Sequence, residues 1–403
     1  MTVTAPRLGA GARDALARCA GDVDRFLDHD WQRRAAIYRG VAPDRSADLL
    51  TLDDVDRFLT TTALRTPFFR LVRAGERIPE SSYTRSGRAG SRDVVGIADP
   101  AKVAAAFEDG ATIVLQGVHR WSEPVMRFNR DLELRLGFPC QVNAYITPAG
   151  AQGLELHEDP HDVFVLQAFG RKRWQVHAAP GEAHRPPIDE EIGPGDTIYM
   201  PAGTPHAASA QAGVSGHLTV GVHVASWRDV VAAAWDASAA DASLDDPLPA
   251  GWHVDPEAHA AELAARLRAA ADRLEATDPV AVLTRRADRF LSGRAQLARG
   301  SIAERAMSLQ LDDTTEVRRR PGSICFVRPA GDRVTVLLGD RLVRMPAWLG
   351  PAMTWIAETD RFAIGDLTEH VPDAESRLVL VRRLVREGLL TAVPGGVPEA
   401  GPR

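Results

Sequence analysis

Two histidines and one aspartate carry the chemistry this chain could perform. His157 and Asp159 stand two apart after the run Asn143 to Leu156, and His206 closes the run Pro194-Gly-Asp-Thr-Ile-Tyr-Met-Pro-Ala-Gly-Thr-Pro-His206. In a strand, residues two apart project to one face, so an imidazole nitrogen and a carboxylate oxygen could meet on one metal ion. His206 would complete a facial triad. Two histidines and one carboxylate leave open positions on an octahedral ion, the arrangement with which non-haem Fe(II) oxygenases take a chelating cosubstrate and then O2. A His-x-Asp tripeptide alone is common and usually solvated. Here, however, it lies among short alternating or apolar runs bounded by Gly and Pro, the setting of a small barrel with its site inside.

Around these residues the chain resembles the JmjC-class ribosomal oxygenases, the 2-oxoglutarate-dependent protein hydroxylases also called cupin-4 proteins. The segments that carry the resemblance are Asn143 to Gly153, His157-Glu-Asp-Pro-His-Asp-Val-Phe-Val-Leu-Gln with Gly170-Arg-Lys-Arg-Trp174 behind it, and Pro194 to His206, together about a quarter of the chain. The resemblance implies that His157, Asp159 and His206 bind Fe(II). It makes Lys172 the partner of the distal carboxylate of 2-oxoglutarate and has Tyr145 and Asn143 help to hold that cosubstrate.

The residues themselves allow this reading and a blander one. The run to Val176 looks like a β-hairpin turning at Phe169-Gly170-Arg171, and alternation puts Lys172, Trp174 and Val176 on one face. A dicarboxylate needs a fixed cation for its far end, which a lysine supplies as a compact charge. Alternatively, Lys172 snorkels from a sheet edge and blunts aggregation there. Tyr145 could equally be a core aromatic with a bonded hydroxyl. His161 reads as a neighbour of the triad rather than a ligand. His217 and His223 read as barrel-wall residues bonded to carbonyls, with His217 able to touch the site from beneath. His29, His119, His177, His184, His253, His259 and His370 have no supporting context.

Composition narrows the alternatives. A chain of 403 residues that is 45% hydrophobic can build two or three real cores. Its formal charge of −6, from 54 acidic and 48 basic residues, gives no global argument for nucleic acid as a partner. The three cysteines, Cys19, Cys140 and Cys325, are odd in number and far apart, so they read as thiols of a reducing compartment. With no apolar signal core and no run long enough to span a bilayer, a cytoplasmic location is expected.

The elements that must position the triad fall into four regions, which make an α+β chain. Residues 1–90 read as a mostly helical segment, with a helix over Ala15 to Asp28 and another capped by Thr51. Residues 91–226 read as the double-stranded β-helix (cupin/JmjC) barrel, including a helix over Asp99 to Asp109 and the strand from Thr112. Residues 227–317 carry helices over Glu257 to Ala276 and Pro279 to Leu297, which the resemblance makes a homodimerisation region. Residues 318–403 read as a hairpin turning at Gly339-Asp340 followed by helices, similar to the winged-helix module that ends ribosomal oxygenases.

The function expected from the resemblance is hydroxylation of a His or Arg side chain of a protein, a ribosomal protein by analogy, with O2 as cosubstrate. Glu155, Glu158 and Asp162 around the triad would suit a basic target, whereas Lys172 and Tyr145 look more like the His-hydroxylating branch. The same triad would serve a tailoring hydroxylase of a peptide or small-molecule pathway, and a vestigial site would leave a non-catalytic cupin-like binding protein. The mixed charge of the terminal module, with Asp366, Glu369, Asp373, Glu375 and Glu387 among its arginines, argues against nucleic-acid binding.

Overall fold

The computed structural model describes residues 15–41, 46–151, 155–178, 188–210, 212–238, 244–297, 300–307 and 311–393. They form two compact units, one ending at Val224 and the other beginning at Ala225. His184, the stretch 152–154 and the residues beyond Val393 lie outside the described set.

In the first unit the helices are α1 (Ala15–Ala20), α2 (Val23–His29), α3 (Leu52–Thr61), α4 (Pro100–Glu108) and α5 (Glu123–Leu136). The strands are β1 (Ala36–Tyr38), β2 (Phe69–Arg73), β3 (Glu76–Arg77), β4 (Thr84–Ala89), β5 (Arg92–Ala98), β6 (Thr112–Leu115) and β7 (Cys140–Thr147). They continue as β8 (Asp162–Phe169), β9 (Lys172–Val176), β10 (Ile188–Ile192), β11 (Thr197–Met200), β12 (His206–Ala210) and β13 (Ser215–Val222). An eight-stranded antiparallel sheet in the order β1-β11-β8-β13-β7-β6-β2-β3 and a three-stranded sheet, β10-β9-β12, make a double-stranded β-helix.

Sequence patterning explains the local choices. Thr51 and Asp54 form a reciprocal capping box at α3, and the Asp99 carboxylate caps α4 just before Pro100. The single helix expected over Ala15 to Asp28 is broken at Gly21, whose φ of 70° favours glycine, and Asp22 caps a fresh helix behind it. β8 is buried on both faces. Phe164 and Leu166 join the large core that holds α1, α2 and α5, while Val163 and Val165 join Trp174, Val176, Ile192, Ile198 and Met200 in a second core inside the barrel.

Three expectations need correction. The segment before residue 91 is not simply helical, because β1, β2 and β3 are strands of the large sheet. Their register is set by pairing with β11 and β6, which are remote in sequence. The run through Gly170 is not a hairpin: β8 pairs with β11 and β13, whereas β9 pairs with β10 and β12. The chain therefore changes sheet at Gly170. Lastly, β9 is the middle strand of its sheet, so Lys172 does not guard an edge.

The second unit contains α6 (Trp227–Ser238), α7 (Ala260–Ala276), α8 (Pro279–Ser292) and α9 (Ser301–Met307), which match the helical region expected there. Strand β14 (Glu316–Arg319) follows, then the meander β15 (Phe326–Ala330), β16 (Arg333–Leu337) and β17 (Leu342–Pro346), whose second turn carries Gly339-Asp340. α10 (Gly350–Glu358), β18 (Arg361–Ala363), α11 (Ala374–Arg386) and β19 (Leu390–Ala392) complete it. β14 pairs with both β18 and β19, so the terminal module begins at Glu316 and a division at residue 317 would cut that strand. Strands and helices alternate through this part of the chain.

The sheet change at Gly170 leaves no room for a side chain. Its φ is 63°, and a Cβ there would sit 2.0 Å from the Val214 carbonyl oxygen. Gly170→Ala should therefore destabilise the first unit by ~3 kcal/mol or abolish its folding. Chemical denaturation followed by circular dichroism would measure this.

Candidate functional site

The triad is assembled by loops and one bridge. His157 lies outside regular strand and forms an isolated antiparallel bridge with His206, the first residue of β12, through N–H to O contacts of 3.1 and 2.8 Å. The expectation that His157 and Asp159 share a strand face is thus replaced by a loop geometry with the same outcome. Asp159 is fixed through its carbonyl, which accepts from the Gly203 N–H at 2.8 Å. Candidate ligand atoms of His157, Asp159 and His206 all lie within 4.8 Å of one another.

Backbone carbonyls orient both imidazoles. His157 Nδ1 is 2.7 Å from the Glu155 carbonyl and His206 Nδ1 is 2.9 Å from the Thr204 carbonyl. If these nitrogens carry the protons, each Nε2 lone pair is bare, and His206 Nε2 lies 3.8 Å from the Asp159 carboxylate. That is the donor set and tautomer a metal requires. Burial holds His206 below the ordinary histidine value, against the opposing pull of the Thr204 carbonyl, so the neutral form is favoured.

The triad opens into a cavity of about 420 Å³, counted with its mouth, whose walls include Tyr145, Thr147, Lys172, Trp174, His217 and Thr219. Lys172 is 1% exposed, and its ammonium donates to Thr147 Oγ1 at 2.9 Å and approaches His217 Nδ1 at 3.3 Å. Burial pushes its pKa down to about 7. Tyr145 stacks on His217 with centroids 5.2 Å apart and planes 8° apart. The Trp174 indole N–H is buried in the wall without an acceptor among the described residues, a donor that a polar ligand would satisfy.

Other expected residues are used differently. Asn143 is not in the cavity wall; its side-chain oxygen accepts from the Gly117 N–H at 2.9 Å, and its side chain also bonds Tyr145. Asp162 does not face a target. It is buried, accepting from Tyr199 Oη at 2.5 Å, from the Ala202 N–H at 3.0 Å and from Gln32. Glu155 and Glu158 are exposed near the triad. His161 packs edge-on against His223 at 5.0 Å and is not among the triad atoms. His217 bonds Lys172 rather than a carbonyl, and His119 is structural, accepting from the Val142 N–H at 3.0 Å. Thr147 was missed, although its place two residues after Tyr145 on β7 was a legible signal.

Two antiparallel sheets closing around a His-x-Asp and distant His cluster, with a buried lysine in the wall of the same cavity, define a JmjC-type double-stranded β-helix. Residues 119–230 match the JmjC domain family. The chain carries that domain and is a relative of the ribosomal oxygenases. It is 30% identical to Ribosomal oxygenase 2 of Bos taurus over 252 residues, 55% of this chain and 54% of the relative. It is 28% identical to Ribosomal oxygenase 1 of Homo sapiens over 228 residues, 52% and 34% of the two chains. The chain thus spans about half the length, or less, of the curated relatives it matches. The fold follows YcfD, a ribosomal oxygenase from Escherichia coli, over 92% of this chain and 98% of that one, with a TM-score of 0.53 at 18% identity. The same Escherichia coli protein in complex with cobalt and 2-oxoglutarate gives a TM-score of 0.52 at 21% identity over 92% and 97% of the two chains.

Lysine burial has a measurable cost. Because the folded-state pKa of Lys172 lies at about 7, below the ordinary lysine value of 10.5, the unfolded chain binds the extra proton between those values. Stability attributable to this group therefore rises with pH across that window, and the penalty is complete below about pH 7. Lys172→Met should stabilise the ligand-free protein by ~2 kcal/mol at about pH 6, an allowance for the lost Thr147 and His217 contacts, and the gain should fade toward about pH 10. Urea denaturation at both pH values tests this.

Proposed function

We propose that this chain is a 2-oxoglutarate- and Fe(II)-dependent oxygenase that hydroxylates a side chain of a protein, with ribosomal proteins as the substrate class suggested by its relatives' names. One observation carries the reading: a His157, Asp159, His206 donor set and a buried Lys172 line the same small cavity. The name of a further relative, the bifunctional lysine-specific demethylase and histidyl-hydroxylase NO66 of Culex quinquefasciatus, supports a protein side chain as the target.

His157 and His206 would hold the iron through imidazole nitrogens whose rings are already oriented by backbone carbonyls, with Asp159 adding a carboxylate oxygen. When bound, iron supplies the capacity to couple oxidation of 2-oxoglutarate by O2, giving succinate and CO2, to insertion of the second oxygen atom into a substrate C–H bond. Lys172 and Thr147 supply a cation and a hydroxyl for the far carboxylate. Tyr145 and Trp174 wall the space between and exclude water from it. Because Asp162 is tied into the protein, an acidic recognition of an Arg target would have to rest on Glu155 and Glu158; His remains the other target residue.

His157→Ala, Asp159→Ala and His206→Ala should each reduce iron content and 2-oxoglutarate-dependent succinate formation by at least ~100-fold. Metal analysis and succinate assay check both. Full activity in His206→Ala would overturn the ligand assignment.

The homodimer is part of the same reading. α7 buries only Ala270 within its own unit, and Leu263 and Leu267 are 59% and 60% exposed, with Val280 and Leu283 of α8 also uncovered. Such a face is that of an interface between copies. Leu263→Glu with Leu267→Glu should lower the sedimenting mass by about half at micromolar concentration in analytical ultracentrifugation; a wild-type monomer would refute it. The terminal module is read as serving assembly or substrate docking rather than DNA. Its Arg377 is buried in contact with Asp313 and the carbonyls of Val371 and Pro372, which removes one cation from the basic face. A cytoplasmic location fits three buried cysteines that form no disulfide, and no described helix is long and apolar enough to cross a membrane.

A further inference from the structure

We propose that His217 is the positioning residue of the cosubstrate pocket: its imidazole accepts from the Lys172 ammonium, aims that cation at the far carboxylate, and braces the Tyr145 wall by stacking. The inference rests on the oxygenase reading and assigns a role to a residue outside the triad.

The geometry requires a particular histidine. β13 pairs with β7 so that His217 stands directly opposite Tyr145, and with β8 on its other side. The two rings are nearly parallel, while Trp174 of β9 meets the same imidazole edge-on at 5.3 Å. The ring is held on three sides by aromatic contact and by Lys172 Nζ, 3.3 Å from Nδ1. An ammonium has three donors and no acceptor, so the contact in the charged state needs a bare Nδ1 and puts the ring proton on Nε2. Burial foremost, and then the Lys172 and His206 charges, holds His217 well below the ordinary histidine value, which keeps it neutral and able to accept.

Lys172 has two neighbours of this kind, Thr147 and His217, and no carboxylate partner among the described residues. Thr147 Oγ1 is itself 3.2 Å from Thr112 Oγ1. Two neutral acceptors on different strands fix the direction of a flexible lysine without neutralising its charge, so the cation is left for a dianion. A carboxylate in the place of His217 would pair with Lys172 and compete with the ligand. The arrangement therefore selects for positioning without charge.

The test is a double-mutant cycle on binding. 2-Oxoglutarate is titrated calorimetrically under anaerobic conditions into the full chain loaded with Fe(II), for wild type, Lys172→Ala, His217→Phe and the double variant. Phe keeps a ring against Tyr145 but loses the acceptor, and His217→Gln restores an acceptor without the aromatic stack. His217→Phe should weaken binding about tenfold in the wild-type background and by less than about twofold in Lys172→Ala, with iron content unchanged and partial rescue by Gln. Equal losses in both backgrounds, or wild-type affinity in His217→Phe, would overturn the inference and leave the oxygenase reading standing. Wild-type affinity in Lys172→Ala would overturn that reading and this inference with it. Should the variants not fold, 15N NMR of the wild-type imidazoles decides: His217 must be the neutral Nε2–H tautomer near neutral pH, and an Nδ1–H tautomer or an imidazolium defeats the proposal.

Discussion

The constraint on which the first unit turns is the burial of a lysine amine between two sheets. An ammonium removed from water is strongly disfavoured unless polar neighbours are placed for it, and the fold places them from three strands. β7 brings Thr147, β13 brings His217, and β9 carries Lys172 between Ile192 and Ala210 of its sheet neighbours. None of these pairings is local. The lysine's position therefore depends on the closure of the barrel, and the barrel's inner layer of Val163, Val165, Trp174, Val176 and Ile198 keeps water from relieving the strain.

At the triad the solution is made from backbone. His157 and His206 are tied to each other by a pair of main-chain hydrogen bonds and to carbonyls of Glu155 and Thr204 through their Nδ1 atoms. The loop between Met200 and His206 is anchored by the Ala202 N–H to Asp162 and by the Gly203 N–H to Asp159. Burial raises the pKa of Asp162 even though Tyr199, Ala202 and Gln32 all donate to it, which marks it as an internal brace. Two carboxylates three residues apart have opposite uses, one turned to the cavity and one to the scaffold. The difference lies in which donors the fold brings to each.

The same separation of type from use appears in the second unit. The arginines of α11 look like one basic face in sequence, but Arg377 is turned inward to Asp313 and two carbonyls while Arg383 and Arg386 stay exposed. The hydrophobic residues Val381, Leu384 and Val385 share its buried side. Leu263 and Leu267 of α7, by contrast, follow a helical stripe and remain uncovered within their unit. Periodicity identifies a face that can pack, but it does not say what the face packs against.

By itself, the sequence determined the parts that depend on local physics or on residue identity. The Thr51 and Asp99 caps, the strand through Thr112, the face shared by Lys172, Trp174 and Val176, and the candidate triad could all be read from spacing and residue type. Tertiary structure alone decided the rest. It put β1 and β2 into the large sheet, moved the chain from one sheet to the other at Gly170, made β9 a central strand, turned Asp162 inward, took Asn143 out of the cavity wall, and brought His217 to Lys172. Those outcomes are pairings between residues far apart in the chain, and a hydrogen-bond partner or a neighbouring strand leaves no periodic mark on the sequence that receives it.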